Sequence, residues 1–82
     1  MESRTFIRVA NELIARIEAQ RNASPTYDER DALRQEIHRA FAALQNPTLP
    51  SAYRLRDAAL AAGFQINSAV LNRLSQFENL EG

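Results

Sequence analysis

The sequence predicts an all-α domain, a compact four-helix fold of two antiparallel helical hairpins: two long helices, then two short ones. Three observations predict it. Apolar residues recur at three- and four-residue steps in every long segment, the spacing of one helix face. No useful stretch alternates apolar and polar residues as a half-buried strand does. Breaks fall at residues 22–25, 46–50 and 63–66, where Asn, Ser, Pro and Gly punctuate the chain.

The first helix is expected over about 4–21. Phe6, Ala10, Leu13 and Ile17 form its stripe, and Ile7, Val9 and Ile14 widen it. The apolar arc covers roughly 160°, more than one neighbouring helix needs. That width places the helix between two others, or sets part of its edge, Ile7 and Ile14, against another chain. The second helix is expected over about 27–45. Thr26 and Glu29 stand at capping-box spacing before it, and Asp28, Glu29 and Asp31 suit the positive end of its dipole. Leu33, Ile37, Ala40, Phe41 and Leu44 point inward. Arg30, Arg34, Glu36 and Arg39 occupy the other face, with Asp31/Arg34 and Glu36/Arg39 pairs at three-residue spacing.

Pro47 and Pro50 exclude one continuous helix, so residues 46–50 are expected to be a packed connector. The third helix, about 51–62, has Ser51 as a plausible cap and Gly63 placed to close it in a left-handed conformation. Leu55, Ala59 and Leu60 are expected to face inward, beside Ala52, Ala58 and Ala62. The fourth helix, about 67–77, starts at Asn67, a good N-cap. Ile66 and Leu71 have the spacing of a hydrophobic staple, and Val70, Leu71, Leu74 and Phe77 form the expected buried stripe.

Composition narrows the function. The 82 residues make one domain, 1–82, with no cysteine and one histidine, so neither disulfides nor a metal staple it. No run approaches the roughly 20 apolar residues of a membrane span. Without a signal-peptide pattern, the cytoplasm is the default location. Ten acidic residues balance ten basic ones, all of them arginine. A dedicated nucleic-acid module usually carries a basic excess, since phosphate neutralisation supplies most of its affinity.

Catalytic constellations are missing. His38 has no cysteine or carboxylate at ligand spacing, and the acidic cluster of Asp28, Glu29 and Asp31 is explained by capping. With Gly63 and Gly82 the only glycines, a glycine-rich phosphate loop is ruled out. No enzyme, metal or cofactor is expected. By elimination, the first expectation is a small non-enzymatic protein-binding module, a regulator or inhibitor that occupies a surface of a larger partner. Its candidate contacts are Ile7, Ile14, Arg30 and Arg34, and the helix-1 edge also suits a homodimer. In size and composition alone, the chain is similar to small phage-encoded inhibitors such as anti-CRISPR proteins.

The alternative is a DNA-binding regulator. Ala59, four residues before Gly63, resembles the small residue and turn glycine of a helix-turn-helix, with 67–77 as the reading helix. Ser68, Asn72, Arg73 and Gln76 would face the bases, and Arg54 and Arg56 the phosphates. The pattern departs after the glycine. Ala69 and Asn72 stand where that motif has buried residues, and Val70 and Leu74 come later.

Overall fold

The computed structural model describes residues 1–78. Four helices make it up: α1 (Ser3–Arg21), α2 (Tyr27–Ala43), α3 (Pro50–Ala61) and α4 (Ser68–Glu78), with no strand among the described residues. The all-α four-helix class is therefore as the sequence predicts.

One hydrophobic cluster joins the helices. Phe6, Ala10, Leu13 and Ile17 come from α1, Leu33, Ile37, Ala40 and Phe41 from α2, Ala52, Leu55 and Ala59 from α3, and Leu74 from α4. Leu44 and Phe64 complete it from the connectors. α1 is central: it packs most extensively on α3 and next on α2. Its wide arc is used within the fold, because Val9 and Ile14 are half-buried against the cluster while Ile7 is 36% exposed. α4 is different. It meets α3 through few contacts, and Leu74 is its one fully buried side chain.

The helix ends follow the sequence at the start of α2 and the end of α3, and depart from it at the start of α3 and the end of α2. Glu29 N–H donates to Thr26 Oγ1 at 3.2 Å and Thr26 N–H to Glu29 Oε1 at 3.0 Å, the reciprocal capping box. Gly63 has φ +85°, the left-handed region that favours glycine. Phe64 N–H donates to the Ala59 carbonyl at 2.9 Å and Gly63 N–H to the Leu60 carbonyl at 3.0 Å. That pair of bonds is a Schellman closure. Ser51, however, is not the cap of α3. The helix starts at Pro50, with Leu49 as N-cap, and Ser51 is buried. Proline suits the first helical position, where no N–H is needed and its fixed φ is already helical. α2 ends at Ala43, two residues short of the expected 45, because Leu44 turns to an extended ψ of 119°.

Two inward assignments also change. Leu60 is 44% exposed, because α1 covers α3 along Ala52, Leu55 and Ala59, and α4 does not reach round to it. Val70, Leu71 and Phe77 are only half-buried, consistent with the sparse packing of α4.

α4 is fastened by polar links. Arg56 holds Glu78 through two bonds of 2.9 Å and also reaches Asp57 at 2.9 Å. The Arg56 bond keeps the Glu78 carboxyl below its ordinary value of 4.5. The folded value lies below the unfolded one. The pair's contribution is thus full above about pH 4.5 and is lost as pH falls through the lowered folded value. Thermal melts taken from about pH 6 to about pH 2 are expected to fall less steeply for Glu78→Gln than for the parent chain. Equal slopes would show that this pair does not fasten α4.

Candidate functional site

α2 carries Tyr27, Arg30, Asp31, Arg34 and His38 at helical steps along one face. The loop from Gly63 to Asn67 lies opposite. Between them are two clefts, of about 270 Å³ and about 300 Å³. Tyr27, Arg30, Asp31, Arg34, Gly63, Phe64 and Gln65 line the first. The second shares Arg34 and Gln65 and adds His38, Ile66 and Asn67, so the two form one furrow.

The α2 side chains Arg30, Asp31, Arg34 and His38 are each held by an identifiable interaction. Arg30 Nη2 donates to the Ala62 carbonyl at 3.2 Å, at the negative end of α3. Its guanidinium lies 4.4 Å from the centroid of the Phe64 ring, a cation–π contact. No carboxylate pairs with Arg30 among the described residues. Arg34 grips Asp31 Oδ1 with Nε at 3.1 Å and Nη2 at 2.8 Å, and Gln35 Nε2 donates to Oδ2 at 2.8 Å. The Arg34 bond first, then the Gln35 bond, hold the Asp31 carboxyl below its ordinary range. Both Asp31 oxygens are therefore engaged.

His38 ties the furrow's far end. Its Nδ1 lies 2.9 Å from the Arg34 carbonyl, and its Nε2 lies 3.1 Å from the Asn67 backbone nitrogen. A carbonyl only accepts and an N–H only donates. The partners thus assign the proton to Nδ1 and leave Nε2 as the acceptor. Asn67 Oδ1 in turn accepts from Ala69 N–H at 2.8 Å and caps α4. His38 consequently links α2 to the start of α4, and both its ring nitrogens are committed to backbone groups. Among the described residues, no group of three or more His, Asp or Glu is placed to hold a metal ion.

The structure brings Arg30 and Arg34 together in this furrow and leaves Ile7 and Ile14 outside its lining. With Ile14 packed on the core, the helix-1 edge offers Ile7 as its one large exposed apolar side chain. Of the DNA-contact candidates, Ser68, Asn72 and Gln76 are exposed on α4. Arg73 is turned inward, its Nη2 donating to the Leu44 carbonyl at 2.8 Å. Arg56 is engaged by Asp57 and Glu78, its side chain only 11% exposed. Arg54 is exposed and bonds Ser51 Oγ at 3.2 Å.

Sequence reasoning missed Tyr27 and Phe64. Phe64 directly follows the helix-closing glycine, a position that commonly makes an apolar contact back to the helix, and that signal was there to read. Tyr27 shares the steps 27, 30, 34 and 38 with the arginines and His38, but a polar helix face gives no sign of what lies across from it.

No protein-family model, no curated protein and no solved structure matches the chain. No helix among the described residues is long and apolar enough to cross a membrane.

Proposed function

We propose that the chain is a non-enzymatic protein-binding module, a regulator or inhibitor that occupies a surface of a larger protein, and that the furrow along α2 is its contact. The observation that carries this reading is Tyr27. It stands 81% exposed at the mouth of a cleft lined by Arg30, Arg34 and Phe64. Tyrosine and arginine are the residue types that dominate binding energy at protein interfaces, and they work best beside a concavity. Two of the four contacts expected from sequence, Arg30 and Arg34, line that same cleft. The commitment of His38 to two backbone groups supports a role without catalysis.

The test is capture of the native partner from nuclease-treated extract, followed by titration of that partner. Tyr27→Ala is expected to weaken binding about 30-fold or more, the loss typical of a hot spot. It should leave the melting point nearly unchanged, since the ring is in solvent. Undiminished binding would move the contact off the furrow.

DNA reading by α4 is the second proposal, favoured by the exposure of Ser68, Asn72 and Gln76. It ranks lower because Arg56 and Arg73 already serve the fold, which leaves Arg54 to meet phosphates. In an anisotropy titration at low salt, the chain is expected to bind duplex DNA no better than a neutral protein of its size. Specific submicromolar binding, abolished by Asn72→Ala with Gln76→Ala at the exposed positions of α4, would reverse the ranking.

A further inference from the structure

We infer that the furrow receives an extended, carboxylate-bearing segment of a partner protein, its acidic side chain set between Arg30 and Arg34; this rests on the protein-binding reading and names the chemistry of its ligand. Length comes first. Tyr27 to His38 is about three helical turns, roughly 16 Å. An extended peptide of about five residues spans that distance.

Charge comes second. The lining holds two arginines and one carboxylate. Asp31 accepts from Arg34 and Gln35 through both oxygens and makes no bond to Arg30. Arg30 has no carboxylate partner among the described residues. It is held in place by the Ala62 carbonyl and the Phe64 ring, through Nη2 and one face of the guanidinium. Such anchoring fixes the donor fork before any ligand arrives, and less entropy is lost on binding. Arg34 makes no bond through Nη1 among the described residues. Two oriented guanidinium groups on adjacent turns suit one carboxylate in a charge-assisted pair.

The remaining surroundings favour a peptide over a nucleic acid. Asp31 in the lining, with Asp28 exposed in the first turn of the same helix, opposes a continuous chain of phosphates more than a peptide bearing a single carboxylate at the arginines. Glu29 is occupied in the capping box. Tyr27 and Phe64 give the residues flanking the acidic one an aromatic contact.

The experiment is a two-dimensional amide NMR titration of the whole chain with three probes. They are an acetylated hexapeptide alternating glutamate and serine, the same peptide with glutamine for glutamate, and a short single-stranded oligonucleotide. The glutamate peptide is expected to shift the amides of Tyr27–His38 and Gly63–Asn67, and to bind at least about threefold tighter than the glutamine peptide. Arg34→Glu should abolish the shifts. That position is only partly buried and pairs with a near neighbour on its own helix, so the rest of the spectrum should report an intact fold. Silence with the glutamate peptide at millimolar concentration would overturn the inference. Equal binding of the glutamine peptide would remove the acidic preference while the protein-binding reading stands. Tighter binding of the oligonucleotide to the same amides would replace the peptide by a nucleic acid. The protein-binding reading has its own point of failure, the Tyr27→Ala titration of the captured partner.

Discussion

Phe41→Ala is expected to cost about 3–5 kcal/mol and to lower the thermal midpoint by more than about 10 °C. Phe41 is 2% exposed and lies in the one cluster that joins all four helices. Its ring centroid is 6.4 Å from that of Phe6, with the planes inclined at 47°. That tilted arrangement is favoured between aromatic rings beyond the area they bury. On its other side Phe41 borders Leu44, Val70, Arg73 and Leu74 across a gap of about 20 Å³. Removing the ring therefore opens a cavity between α1, α2 and α4 at once. Collapse is obstructed because Phe6, Leu33, Ile37 and Leu55 are themselves fully buried and held by their own helices. A domain of this size has roughly 4–12 kcal/mol in total. The loss is a large share of that, with no disulfide to limit it. A midpoint within a degree or two of the parent would mean that Phe41 is not at the centre of the core.

Local patterning made the helices legible, and tertiary placement decided the rest. The stripe of α1 and the inward residues of α2 follow from periodicity, since each is a property of one helix. Gly63 and the Thr26–Glu29 box are legible for the same reason: their partners lie within a few residues. Pro50 was ambiguous, because a proline that breaks one helix also starts the next well. The coverage of Leu60 and Leu71 was not legible, because periodicity orients an apolar face without stating how much of it a neighbour reaches. The arginines show the limit most clearly. Arg30 bonds Ala62, Arg73 bonds Leu44 and Arg56 bonds Glu78, all between residues more than twenty apart in sequence. Each was an equal candidate for an external ligand when only its own helix was considered. The fold assigns two of them to α4's attachment and sets Arg30 in the furrow.

Leu74→Ala is expected to release α4 while the other three helices stay folded. Leu74 is 1% exposed and is the fully buried side chain of its helix, so the truncation removes most of α4's apolar anchorage. The usual cost of such a change is about 2–5 kcal/mol. What remains is the half-buried packing of Val70 and three polar links: Asn67 to His38, Arg73 to the Leu44 carbonyl, and Arg56 to Glu78. The last pair is 44% exposed on the glutamate side, where water screens it. These links are too weak to replace the lost burial, so the global stability should fall only until undocking becomes the easier event. Amide exchange in α4 is then expected to speed up about 30-fold or more, with much smaller changes in α1 and α2. Equal acceleration in all four helices would show instead that α4 belongs to the cooperative core. The consequence reaches the furrow. Its second wall, Gln65 to Asn67, leads into α4 and is fixed to α2 by the Asn67–His38 bond. Leu74→Ala should therefore weaken partner binding although it replaces no furrow residue. A second variant, Leu60→Ala, removes a side chain that is 44% exposed on α3 and should leave binding unchanged. The difference between the two would place the effect in the docking of α4.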